Sequence, residues 1–102
     1  MPTVFIIEDS PTQAQKFASM LEDAGFQVEI AGTLQEGIGR IKKGGVDALL
    51  LDLTLPDSEG LKTFLTARSR APNTPLVVLT NLDDESLAAV TLQQGAQDYL
   101  VK

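Results

Sequence analysis

Five short apolar runs, each separated from the next by a stretch with helical spacing, constrain the fold of this chain most strongly. The runs are Val4–Ile7, Phe26–Ile30, Ala48–Leu51, Leu76–Leu79 and Tyr99–Val101. Strands that alternate with helices form parallel sheets with right-handed crossovers and helices on both faces. The first, third and fourth runs are apolar throughout, as in central strands, whereas the second alternates like an edge strand. The pattern predicts a doubly wound α/β fold with five parallel strands.

Start and stop signals place four helices between these runs. We expect N-terminal caps at four places: Ser10 before Pro11, Thr33 in a capping box with Glu36, Ser58, and Asp83 or a neighbour. In the fourth helix, Leu87 and Val90 are expected to face inward. Gly37 and Gly39 should each weaken the second helix by about 1 kcal/mol relative to alanine.

The sequence ends at Lys102, directly after the fifth apolar run. A doubly wound sheet of five strands normally carries a fifth helix, which is missing here. We therefore expect one face of the fourth and fifth strands to be exposed and apolar, a feature that monomers avoid. The domain is interpreted as residues 1–102, truncated after the fifth strand. A continuation of the chain, a partner or a second copy would cover the exposed face.

Length and composition narrow the function further. A chain of 102 residues accommodates one domain. It contains neither cysteine nor histidine, which excludes disulfides, zinc sites built on those residues and histidine-based catalysis. The net charge of −6 argues against direct binding of nucleic acid or anionic lipid. No apolar run reaches membrane-spanning length and no secretory leader is evident, and the missing cysteines fit a cytoplasmic protein.

Polar residues follow four of the predicted strands. They are Glu8 and Asp9, Asp52, Thr80, and Lys102. Parallel sheets bind ligands at the carboxyl ends of their strands, so these side chains are expected to meet at one edge. Two carboxylates about 4 Å apart repel by roughly 4 kcal/mol at an effective dielectric near 20, which a hard cation such as Mg²⁺ would offset. An ionised Asp52 would then be a nucleophile toward phosphorus. Each residue alone has an ordinary structural explanation. Glu8 and Asp9 would be charges at a helix N-terminus, Asp52 a loop or capping residue, Thr80 a strand end and Lys102 merely the last residue, and only their joint occurrence supports the site.

Four segments resemble the response regulator receiver family. They are residues 5–10, 48–60, 75–80 and 95–102, and the second carries the spacing of Asp52, Pro56 and Gly60 that is typical of the family. The resemblance covers the whole chain except for a missing final helix. It implies a flavodoxin-like fold with strand order 2-1-3-4-5.

The resemblance also implies roles for single residues. Asp52 would be the phosphoacceptor, and Glu8, Asp9, Asp52 and the backbone carbonyl of Thr54 would bind Mg²⁺ or Mn²⁺. Lys102 would be the invariant lysine, while Thr80 and Tyr99 would be the switch residues. Asn81, where the family usually has a small residue, and Thr54, two positions after Asp52, would tune the lifetime of the phosphoryl group.

The family's function implies a phosphorylation-dependent signalling switch. The phosphodonor would be a histidine kinase or phosphotransfer protein, and the output would reach an effector domain or protein, with a homodimer left open. Chemistry would be limited to self-phosphorylation and self-dephosphorylation. The alternative is a degenerate receiver that binds partners without phosphorylation. A phosphatase-like hydrolase is disfavoured because Thr54 stands where such enzymes need a second acid, and a dinucleotide-binding domain because no glycine-rich turn follows the first strand.

Overall fold

The structure is a computed structural model that describes residues 1–102 apart from the side chain of Leu82. Its elements are the strands β1 (Thr3–Ile7), β2 (Gln27–Ala31), β3 (Ala48–Asp52), β4 (Thr54–Leu55), β5 (Ser58–Glu59), β6 (Leu76–Thr80) and β7 (Asp98–Val101), and the helices α1 (Pro11–Asp23), α2 (Leu34–Ile41), α3 (Leu61–Arg70) and α4 (Glu85–Gln93). Five strands form one parallel sheet with the order β2-β1-β3-β6-β7. The predicted doubly wound fold is confirmed, with β2 at an edge. The short strands β4 and β5 form a separate antiparallel hairpin.

The core lies on both faces of the main sheet, because consecutive strand residues point to opposite sides. In β1, Val4 and Ile6 pack on the face that α1 covers, through Phe17 and Ala18. The neighbouring β1 residues belong to the larger cluster on the opposite face, together with residues of β3, α3 and β6 such as Phe64. This two-sided burial explains why the central strands are apolar throughout.

The first two helices begin where the sequence predicts. The Ser10 hydroxyl accepts a hydrogen bond from the Gln13 backbone N–H at 3.4 Å, with Pro11 as the first residue of α1. The Thr33 hydroxyl likewise accepts from the Glu36 N–H at 3.1 Å, at the start of α2. Local hydrogen bonds between near neighbours therefore fix both helix starts.

The predicted cap of α3 is wrong. Gly60, with φ of +81°, precedes the first helical residue, and no described side chain caps this end. Ser58 instead lies in β5, where it pairs with Leu55, and its hydroxyl is 2.6 Å from that of Thr63. Pairing within the hairpin thus takes Ser58 out of the capping position, while glycine supplies the left-handed backbone that the turn into α3 requires.

The fourth helix starts next to the expected residue, but without a side-chain cap hydrogen bond among the described residues, and it faces the core differently. A short 3₁₀ turn, Leu82–Asp84, leads into α4, whose N-cap is Asp84. Leu87 packs against the core as predicted, whereas Val90 is 37% exposed, so its predicted inward position is wrong. Ala88 and Thr91 are the fully buried residues of α4. Since each helical residue turns by about 100°, Val90 points away from the face that Ala88 occupies.

The expected apolar face on the end of the main sheet is present. Leu100 of β7 is 42% exposed, and Met20 of α1 is 59% exposed on the same side. They line one groove with other residues of α1 and the sheet: Phe17, Leu21, Leu50, Val77 and Asp98. That a continuation of the chain, a partner or a second copy covers this groove stays a prediction.

Among the described residues, no helix is both long and apolar enough to cross a bilayer.

Two glycines of α2 should respond in opposite ways to alanine. A Cβ on Gly37 would lie 2.5 Å from Cδ1 and 3.0 Å from Cγ1 of the fully buried Ile7, whereas a Cβ on Gly39 would have no atom of the described residues within 4 Å. We expect Gly39→Ala to raise the free energy of unfolding by roughly 0.5–1 kcal/mol through helix propensity. Overpacking should make Gly37→Ala about 1–3 kcal/mol less stable than Gly39→Ala. Urea unfolding followed by circular dichroism measures both, and equal stabilisation would contradict the close packing at Ile7.

Candidate functional site

The carboxyl ends of four strands of the main sheet bring the polar residues to one edge. Glu8 follows β1, Asp52 is the last residue of β3, and Thr80 is the last residue of β6. Lys102 follows β7, and its backbone N–H donates to the Thr80 carbonyl at 2.8 Å. The parallel register places Asp52 beside Leu79, so Asp52 and Thr80 lie on neighbouring strands at the same edge.

Three carboxylates form a compact cluster at this edge. Glu8, Asp9 and Asp52 each offer an oxygen, and these oxygens lie within 4.8 Å of one another. Glu8 and Asp52 are only 2% and 3% exposed, whereas Asp9 is exposed to solvent. An all-oxygen set open on one side fits Mg²⁺, which binds through one or two carboxylates and keeps several waters. The donor set therefore fits a hard divalent cation.

Lys102 partly neutralises the two buried carboxylates. Its ammonium donates to Oε1 of Glu8 at 2.8 Å and to Oδ2 of Asp52 at 2.9 Å. Burial acts to lower the pKa of Lys102, but the hydrogen bonds and charges of these two carboxylates outweigh it and raise the pKa above its usual 10.5. The ammonium is consequently charged throughout the physiological range.

Backbone groups hold the second oxygen of each buried carboxylate. The Ser10 N–H donates to Oε2 of Glu8 at 3.1 Å, and the Thr54 N–H donates to Oδ1 of Asp52 at 3.0 Å. Buried charges are tolerated only when they are paired and hydrogen-bonded, and both conditions are met here. Each carboxylate is thereby fixed in orientation between one backbone N–H and the Lys102 ammonium.

The two residues with expected switch roles have partners outside the carboxylate cluster. The buried Thr80 hydroxyl donates to the Asn81 carbonyl at 3.2 Å. The half-buried Tyr99 lies beside Val78 in the register, and its hydroxyl donates to Oε2 of Glu85 at 3.3 Å. Thr80 is thus at the site edge, while the tyrosine hydroxyl is held by a residue at the start of α4.

Asp57 is a residue of this region that the sequence analysis missed. It lies in the turn of the β4–β5 hairpin, and its carboxylate accepts the backbone N–H groups of Leu34 and Gln35, both at 2.9 Å. These two hydrogen bonds lower the pKa of Asp57 below its usual value. The only sequence signal was an acidic residue after Pro56, which also fits an ordinary solvated turn.

Comparison with known proteins identifies the family. The family model described as the response regulator receiver domain matches residues 4–102. The chain belongs to the response regulator receiver family. The resemblance noted in the sequence is therefore confirmed, and with it a place in two-component signal transduction.

Individual relatives agree with this assignment. The chain is 32% identical to the protein PilH of Pseudomonas aeruginosa, over all of this chain and 86% of that protein. It is 35% identical to the cell cycle transcriptional regulator CtrA of Caulobacter vibrioides, over 97% of this chain and 43% of that protein.

Solved structures agree as well. A two-component response regulator from Clostridium difficile matches with a TM-score of 0.88 and 26% identity, covering all of this chain and 84% of that one. The chemotaxis response regulator CheY4 of Vibrio cholerae matches with a TM-score of 0.83 and 27% identity, covering all of this chain and 87% of that one.

The chain spans less than half the length of several curated relatives, with 43% to 45% of each covered. Membership nevertheless carries general properties. Receiver domains hold a divalent metal ion, interact with kinases or phosphotransfer proteins, and act on effectors. The acidic cluster of Glu8, Asp9 and Asp52 is where this chain has the residues for such an ion.

Proposed function

We propose that this domain accepts a phosphoryl group on Asp52 from a histidine kinase or phosphotransfer protein and relays the change to an effector. The observation that carries the proposal is the pairing of one ammonium, that of Lys102, with two buried carboxylates, Glu8 and Asp52. The ammonium balances the charge of two buried carboxylates. A phosphoryl group on Asp52 would change that charge balance, and a local change of charge can bias a conformational switch. The complete set of residues favours this function over the degenerate alternative.

The chemistry proposed for Asp52 is a displacement at phosphorus. A carboxylate oxygen forms the new bond to phosphorus, and the bond between phosphorus and the donor breaks, so that the donor leaves with the electron pair. Glu8, Asp9, Asp52 and the Thr54 carbonyl would hold Mg²⁺, or Mn²⁺, which offsets negative charge on the phosphoryl oxygens. Lys102 supplies a second positive charge, and the reaction is confined to this chain's own aspartate.

Thr80 and Tyr99 are proposed to report the phosphoryl group. The Thr80 hydroxyl would exchange its Asn81 carbonyl partner for a phosphoryl oxygen, which is a stronger, charged acceptor. Tyr99 would then give up its hydrogen bond to Glu85 as it turns inward. A local charge event would thereby bias a two-state element, as in other phosphorylation switches.

The remaining sequence predictions belong to the same proposal. The single five-stranded sheet with a core on both faces supports the interpretation of residues 1–102 as one receiver domain. The cytoplasmic location, the particular donor and effector, and a homodimer stay predictions.

Beryllofluoride, a non-transferable mimic of a phosphoryl group, tests the function directly. With Mg²⁺ present, we expect large changes in the amide NMR signals of Asp52, Thr80 and Tyr99, because the mimic would bind the Asp52 carboxylate and recruit the Thr80 hydroxyl. Mg²⁺ alone should shift only signals near the carboxylate cluster, and fluoride alone should shift none. Spectra that are unchanged by beryllofluoride with Mg²⁺ would favour the degenerate receiver.

A further inference from the structure

The turn of the β4–β5 hairpin is joined to a helix more than twenty residues earlier in the chain. Asp57 accepts the Leu34 N–H at Oδ1 and the Gln35 N–H at Oδ2, both at 2.9 Å. We propose that Asp57 is a positioning residue that holds the hairpin against α2 and thereby orients Asp52 for metal binding and phosphorylation. This inference rests on the proposed function, because it concerns the same site.

On the helix side, the exposed Asp57 carboxylate accepts from two consecutive backbone N–H groups. Leu34 and Gln35 are the first two residues of α2, whose N–H groups have no partner within the helix. The Thr33 hydroxyl takes the N–H of the next residue, Glu36, so local capping and the Asp57 contact are complementary. A carboxylate at a helix N-terminus also interacts favourably with the helix dipole, and charge-assisted hydrogen bonds are about twice as strong as neutral ones.

On the hairpin side, a short series of hydrogen bonds connects the Asp57 turn to Asp52. Thr54 pairs with Glu59 across the hairpin, and the Gly60 N–H donates to the Leu53 carbonyl at 2.7 Å, which closes the loop. Thr54 in turn donates its N–H to Oδ1 of Asp52 at 3.0 Å. A continuous chain of hydrogen-bonded segments therefore runs from α2 through Asp57 and the hairpin to Asp52.

This path gives Asp57 a functional consequence although the residue lies outside the carboxylate cluster. Thr54 both holds Asp52 and, under the proposed function, supplies a metal-binding carbonyl. Movement of the hairpin would therefore disturb two contributions to the site together. Losing a group that orients metal ligands typically costs 10- to 100-fold in metal affinity. Because Asp57 acts through a backbone segment, we expect Asp57→Asn to weaken Mg²⁺ binding about tenfold, at the lower end of that range.

The test compares three variants of the full chain by Mg²⁺ titration, with the amide NMR signals of Thr54 and Asp52 as the readout. Asp57→Asn removes the charge and one of the two acceptor oxygens. Thr33→Ala weakens the same helix end without touching the hairpin. Glu59→Gln removes the same charge from the same hairpin without touching α2.

A second measurement reports on the contact between Asp57 and α2. It is the hydrogen exchange at Leu34 and Gln35, measured without metal.

The proposal makes distinct expectations for the three variants. Asp57→Asn should speed exchange at Leu34 and Gln35 and raise the Mg²⁺ dissociation constant about tenfold. Thr33→Ala should lower the free energy of unfolding. Glu59→Gln should leave hydrogen exchange at the start of α2 unchanged. The Mg²⁺ affinity of both variants should stay within about threefold of the wild-type value. Faster exchange in Asp57→Asn with unchanged Mg²⁺ affinity would overturn the positioning role while leaving the proposed function intact. Equal weakening in Thr33→Ala would reduce Asp57 to a helix cap, and a wild-type chain that does not bind Mg²⁺ would overturn the proposed function itself.

Discussion

We expect Asp52→Asn to abolish phosphorylation of this domain by acetyl phosphate in the presence of Mg²⁺. An amide oxygen is a poor nucleophile, and the substitution also removes one negative charge from the cluster that would hold the cation. The side chains have the same shape, so the Thr54 N–H keeps an oxygen acceptor and the buried position stays filled. The decrease in labelling should therefore reflect chemistry and not a changed fold. Intact-protein mass spectrometry measures the fraction of chains that carry one phosphoryl group.

A matched control separates the site from general charge effects. Asp23→Asn makes the same substitution at an exposed position at the end of α1, and we expect it to be labelled as fast as the wild-type chain. Stoichiometric labelling of Asp52→Asn would place the phosphoacceptor elsewhere. If both variants lost labelling equally, net charge, and not the carboxylate cluster, would govern the reaction.

The fold could be predicted because its signals are local and redundant. Continuous apolar runs mark central strands, and their alternation with capped helices leaves few topologies open. The errors arose where tertiary packing overrides a local pattern. Ser58 has the chemistry of a cap but is used by the β4–β5 hairpin, and Val90 has helical spacing but lies off the face that α4 buries.

The candidate site was predictable in position but not in its contacts. Parallel strands end at a common edge, so the sequence places Glu8, Asp52 and Lys102 near one another. It does not reveal that one ammonium bonds both carboxylates, since that depends on side-chain conformations across strands far apart in sequence. It also gives no indication of the Asp57 contact with α2, because both partners look like complete local structures: a turn and a capped helix.

Lys102 should contribute strongly to stability as well as to chemistry. In Lys102→Met, the buried carboxylates of Glu8 and Asp52 lose their shared positive charge while remaining close together. Removing one partner of a buried ion pair costs about 3–5 kcal/mol, because an uncompensated charge is left behind. We expect a loss of that order in the free energy of unfolding without metal, measured by urea titration. Lys62→Met, an exposed lysine of α3, is the control and should change stability by less than about 0.5 kcal/mol.

The dependence on Mg²⁺ and pH distinguishes this electrostatic role from simple packing. Without the ammonium the cluster is more negative, so Mg²⁺ should bind the folded variant more tightly and raise its stability more than that of the wild type.

The pKa of Lys102 is raised in the folded state, so the folded chain keeps the proton better than the unfolded chain. The stabilising effect is therefore full below the usual pKa of 10.5 and is lost only as the pH rises through the higher folded-state value. Titration of Lys102 should thus add no pH dependence to the stability difference between wild type and Lys102→Met from about pH 7 to 9. A difference that is insensitive to both Mg²⁺ and high pH would mean that Lys102 does not stabilise the fold through its charge.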